Sequence, residues 1–140
     1  LEKPQESKVM YAELLQKRRS LTKQQPNHVV IHRNLGNILN RVAMILVQEG
    51  DLEEGLEKYQ EANKIYLHLA ELEPENDRAT QRDVGWSYYL VGLTLVYLER
   101  YPEGFQELST GFNLILNRCT EFSDYNDARD DILKYFICML

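Results

Sequence analysis

The strongest constraint in this chain is a match to itself at one offset. Moving the sequence along by 49 residues lays Arg33 on Arg82, Gly36 on Gly85, Val42 on Val91, Leu46 on Leu95 and Val47 on Val96. The same shift pairs Glu54 with Glu103 and Gly55 with Gly104. Conservative pairs fill the gaps: Asn34 with Asp83, Leu35 with Val84, Leu56 with Phe105, Ile65 with Leu114. Scattered matches between two helical segments would mean little, but a preserved order at a constant interval marks an internal repeat. A period of this size belongs to arrays of stacked units, each too small to bury its own apolar face.

The unit can be read between Val42 and Ala62. Val42, Ala43, Leu46 and Val47 form an apolar stripe at helical spacing. Gly50 stops that helix, because glycine takes the left-handed C′ conformation without steric cost. Asp51 is placed to cap the next helix, with Glu54 three residues on as its capping-box partner. Leu52, Leu56 and Tyr59 restart the stripe, and Gly55 and Ala62 put small residues where a neighbouring helix can come close. The expected unit is an antiparallel helical hairpin.

This pattern resembles the tetratricopeptide repeat (TPR). The first copy supplies Leu39, Val42-Ala43, Leu46, Gly50-Asp51, Gly55, Tyr59 and Ala62; the second supplies Tyr88, Val91-Gly92, Leu95, Gly104, Leu108 and Gly111. Both copies are longer than the family's usual period of about 34 residues. Pro74 closes the first repeat late, and Glu99-Arg100 stands where the second should have its turn glycine. The resemblance implies an all-α, right-handed α-solenoid of antiparallel hairpins with about six helices. It also implies that first helices line a concave groove and second helices form the outer wall.

The expected organisation is one domain over 1–140. Residues 7–25 form the second helix of a partial repeat, 28–74 repeat one, 77–120 repeat two and 124–139 a terminal helix. Matching Pro26 to Pro74 lays Tyr11 on Tyr59 and Leu21 on Leu69, which makes the opening helix the second half of a repeat. The start at Leu1 agrees with a segment cut from a longer array, and also with processing. Pro26 breaks the first helix, and Asn27 is expected to cap the next. In the terminal helix, Ile132, Leu133, Phe136 and Ile137 form the apolar stripe.

Composition narrows the function. Apolar residues make up 44%, as in a globular chain, and no run approaches the length that spans a bilayer. Residues 1–48 hold eight Lys/Arg against three Asp/Glu; the remainder holds eight against nineteen, giving −6 overall. That imbalance reads either as two solvated faces or as head-to-tail attraction between copies. The acidic majority argues against nucleic acid as a partner. Cys119 and Cys138 read as reduced, core-side residues of a cytoplasmic protein. His28 and His32 share a helix face but lack a third ligand, and read as surface histidines rather than a metal site. No Gly-rich phosphate loop, CxxC or HExxH spacing, or activated nucleophile occurs, so neither catalysis nor a cofactor is expected.

A surface remains. Carried over residue by residue, the resemblance places Arg33, Asn37, Asn40 and Met44 in the groove from the first copy, joined by Gln48. From the second copy it places Arg82, Trp86, Tyr89, Leu93 and Tyr97 there. Trp, Tyr and Arg are common anchors of protein contacts, although Trp86 and Tyr89 could equally fill space between lengthened helices. Asn37 lies too far upstream to serve the family's carboxylate clamp, so the expected ligand is an amphipathic or aromatic-anchored protein segment. Two alternatives stand beside this: end-to-end self-association through the terminal helices, and a small ligand held between Arg82 and Trp86.

Overall fold

The computed structural model describes residues 4–73 and 78–121. These form five helices: α1 (Pro4–Gln24), α2 (Val29–Gln48), α3 (Leu52–Leu72), α4 (Arg78–Tyr97) and α5 (Tyr101–Glu121). No strand occurs among the described residues. The expected helix over 124–139, and Cys138 with it, lies outside them.

Each helix packs on the next in sequence. Inside each hairpin the helices run antiparallel and close together, and the contacts repeat with the sequence. A Cβ on Gly55 would sit 2.7 Å from Val47 Cγ2, and one on Gly104 would sit 2.8 Å from Val96 Cγ2. At the far end a Cβ on Gly36 would meet the Tyr66 ring at 3.0 Å, and one on Gly85 would meet Ile115 Cγ1 at 3.1 Å. Both members of each contact move by 49 residues, so the duplication seen in the sequence is also a duplication of packing.

Three apolar clusters run along the stack. Leu15, Leu35, Leu39, Ala62, Tyr66, Leu69 and Val84 join α1 through α4. Ala43, Leu56, Tyr59, Val91 and Leu95 continue between the first hairpin and α4. Tyr89, Leu108 and Ile115 fill the second hairpin.

The turns explain how one hairpin dispenses with glycine. Gly50 adopts φ +91°. Its N–H bonds to the Val47 carbonyl at 3.1 Å, and the Asp51 N–H bonds to Leu46 at 2.9 Å, the paired closure of a Schellman motif. Glu99 takes φ +60° in the second turn and repeats both bonds, Glu99 to Val96 at 3.0 Å and Arg100 to Leu95 at 2.9 Å. The backbone keeps the turn and the side chain bears the strain of the left-handed region.

Three local expectations are corrected. Asp51 is the N-cap of α3 but makes no side-chain capping bond; its carboxylate lies 3.6 Å from Lys8 Nζ instead, so no capping box with Glu54 closes. Not Asn27 but His28 caps α2, its Nδ1 accepting from the Ile31 N–H at 3.4 Å. His32 is no surface residue. It is buried on the inner side of α2, edge-on to His68 with ring centroids 5.2 Å apart.

Replacing Glu99 with glycine is expected to stabilise the protein by about 0.5–1 kcal/mol, since the left-handed penalty exceeds the entropy glycine adds to the unfolded chain. Gly50→Ala is expected to cost about 1 kcal/mol by the converse effect. Urea midpoints of the two variants, moving in opposite directions at unchanged slope, check both.

Candidate functional site

The candidate face is built on the first helices α2 and α4. Residues Val30, Asn34, Asn37, Arg41, Met44 and Gln48 of α2 are all exposed, at alternating spacings of three and four, and so form one solvent-facing stripe. On α4, Arg82, Trp86 and Tyr97 are exposed, with Leu90 and Leu93 half-buried between them. Expected groove residues of both copies therefore reach solvent, but not all of them do.

Tyr89 is only 2% exposed and sits in the core with Leu108 and Ile115. Of the two readings left open for it, filling space is the one its burial matches. Trp86 is 37% exposed and stacks on Tyr89, with centroids 5.0 Å apart and planes 29° from parallel. A core residue thus holds one face of an exposed indole. Leu93 is half-buried against the same cluster. Tyr97 is 58% exposed at the far end of α4.

Arg33 lies inside the interface and is half-buried. Its guanidinium donates to Asp83 Oδ2 at 2.9 Å, to Thr80 Oγ1 at 2.9 Å and to Glu73 Oε2 at 3.3 Å. Thr80 in turn donates to Glu73 at 2.8 Å. The network ties α2 to the end of α3 and the start of α4, bringing the two first helices side by side. Arg82, its repeat equivalent, is exposed and lies 3.9 Å from the other Asp83 oxygen. The two arginines therefore stand on the same side, with different roles.

Asn37 and Asn40 meet Tyr66, which reaches between them from α3 past Gly36. The Tyr66 hydroxyl donates to Asn37 Oδ1 at 2.7 Å and accepts from Asn40 Nδ2 at 3.4 Å. Burial pushes the Tyr66 phenol above its ordinary value near 10, and Asp83 adds to the shift while Arg33 opposes it.

A second concavity was not foreseen from the sequence. A cavity of about 390 Å³ opens between α1 and the first hairpin, with Leu15, Val42, Ile45 and Leu46 among its apolar lining. The repeat explains it. In the equivalent junction Leu56 packs against Val91 and Leu95, while the matching position on α1 is Lys8, whose ammonium turns away to Glu49 at 2.8 Å. The signal was a lysine at a position that is leucine one repeat later.

Among the described residues no helix is long and apolar enough to cross a membrane. Nor does any group of three or more His, Cys, Asp and Glu among them stand close enough to hold a metal ion. Comparison with protein-family models, curated proteins and solved structures returns no match.

A double-mutant cycle of Arg33→Ala and Asp83→Ala is expected to show a coupling of about 1–2 kcal/mol, because the pair is half-buried and charge-assisted. Tyr66→Phe is expected to cost about 1 kcal/mol near neutral pH for the lost bond to Asn37. The Tyr66 pKa is raised by folding, so its contribution is complete below pH 10 and fades as pH rises beyond. Urea titrations across that range should show the wild type and Tyr66→Phe converging.

Proposed function

We propose that this chain is a protein-interaction module of the tetratricopeptide kind. Its hairpins stack as a right-handed solenoid, and the exposed faces of α2 and α4 form a groove for a peptide or helix of a protein partner. The module works by binding, without catalysis or cofactor, as a cytoplasmic adaptor or regulatory segment.

One observation carries this reading. Trp86 is exposed on α4 yet held by stacking on buried Tyr89. Arg82 stands one turn before it, and Tyr97 lies further along the helix. An exposed aromatic that is already ordered loses little entropy on binding and gains the burial of its free face. The α2 stripe is more polar and offers Asn34, Asn37, Arg41 and Gln48 as hydrogen-bonding groups around Met44. The partner that fits is an amphipathic segment with an apolar anchor for Trp86 and a carboxylate for Arg82.

The double variant Trp86→Ala/Tyr97→Ala tests it, since both side chains reach solvent and the only core contact removed is the Trp86 stack on Tyr89, worth about 0.5–1.5 kcal/mol. Partners captured by the wild type should be lost or bound at least about tenfold more weakly, a cost of about 1.4 kcal/mol, with helicity unchanged and melting lowered only by the loss of the Trp86–Tyr89 stack. A folded variant that keeps every partner at full affinity overturns the reading.

A further inference from the structure

The two first helices carry the opposite charge from the helices they form hairpins with. Helix α2 contains no Asp or Glu, and α4 contains one, Asp83, whose carboxylate accepts from Arg33. Together they hold four arginines. Helices α3 and α5 hold eight Glu against three Lys/Arg, in a chain whose net charge is −6. The face formed by α2 and α4 is therefore a local basic surface on an acidic protein.

Two of those arginines flank Trp86. Arg82 precedes it by one turn and is exposed. Its 3.9 Å separation from Asp83 is long for a charge-assisted hydrogen bond, so the guanidinium keeps donors for another carboxylate. Arg41 is exposed on α2 and makes no ion pair among the described residues. The register between the two helices is fixed at both ends, since Arg33 bonds to Asp83 and Ala43 packs in one cluster with Val91 and Leu95. On that register Arg82 stands level with Arg33, Trp86 with Asn37, and Leu90 with Arg41. Trp86 thus lies between the levels of the two free arginines, which are about 12 Å apart along the helix axes. Exposed Met44 and half-buried Leu90 and Leu93 supply apolar surface beside it.

We propose that the segment bound on this face is acidic, with an apolar side chain seated on Trp86, Leu90 and Leu93, one Asp or Glu at Arg82 and another at Arg41. This rests on the reading that the face binds a protein partner, and adds the chemistry of that partner. Guanidinium groups pair with carboxylates through two parallel hydrogen bonds. A basic segment would meet two like charges and find no unpaired carboxylate on α2 or α4, so the same arginines discriminate against it. The net charge of −6 opposes an acidic partner at a distance. That field is screened beyond about 8 Å at physiological ionic strength, whereas direct contacts to Arg41 and Arg82 act within this range.

Trp86 is the only tryptophan of the chain, so its emission reports occupancy of this face directly. The test selects binders from a random short-peptide display library and titrates the enriched sequences, synthesised without Trp, against the full chain. They should shift the Trp86 emission and carry an apolar residue with Asp or Glu on both sides. Arg41→Glu, at an exposed position without an ion pair, should leave the urea midpoint in place and weaken the peptides roughly fivefold or more. Replacing the peptide carboxylate that faces residue 41 by Lys should restore binding to that variant and weaken binding to the wild type. Enriched peptides that shift Trp86 but are neutral or basic overturn the proposal while leaving the protein-binding reading of the face intact, as does undiminished binding of acidic peptides to the Arg41 variant. Peptides that neither shift Trp86 nor bind more weakly to Trp86→Ala overturn both, as does a library that enriches none. Emission that changes with protein concentration alone places a second copy on the face and overturns the acidic-segment proposal.

Discussion

The structure depends on how closely two helices approach within each hairpin. Gly36 and Gly55 in the first hairpin, and Gly85 and Gly104 in the second, leave no room for a methyl group without movement of a neighbour. Those gaps are filled by Tyr66, Val47, Ile115 and Val96 in turn. Close packing of this kind sets the distance between helices, because dispersion attraction weakens steeply across even a small gap. Everything on the outer faces inherits its position from these crossings. Tyr66 reaches Asn37 and Asn40 only because Gly36 lets the ring past.

Between hairpins the binding changes character. Apolar clusters still run through the junctions, but ion pairs link like helices of successive units. Arg33 joins α2 to α4, and Arg19 joins α1 to α3 through a bidentate pair with Glu61 at 2.8 and 2.6 Å. Bidentate guanidinium–carboxylate contacts fix orientation as well as distance, so they hold a register that apolar contact alone leaves loose. The same positions carry different duties in different copies: Arg33 is committed to packing while Arg82 faces solvent. Leu56 closes one junction, whereas Lys8 leaves its counterpart open as a cavity.

Much of this was legible beforehand because each local signal has a local cause. Gly50 marks a turn through its backbone freedom, and the matched order of apolar residues gives helix spans within a few positions. The misreadings are those that needed neighbours. His32 looked exposed because α2 alone cannot show that His68 of α3 lies against it. Asn27 looked like a cap, but the chain leaves the Pro26 turn one residue later. Tyr89 and Trp86 are three residues apart on one helix and similar in kind, yet one is core and the other surface.

The sequence alone determined the helical class, the 49-residue period and the hairpin as its unit, because backbone preference and apolar spacing act over a few residues. It also carried the second turn in outline, although nothing in Glu99-Arg100 announces a left-handed residue. Only the tertiary structure decided which side chains of the repeated pattern are available. Burial depends on what packs against a position, and equivalent positions in the two copies have different neighbours. That is why a duplicated sequence yields one arginine locked between helices and another facing water.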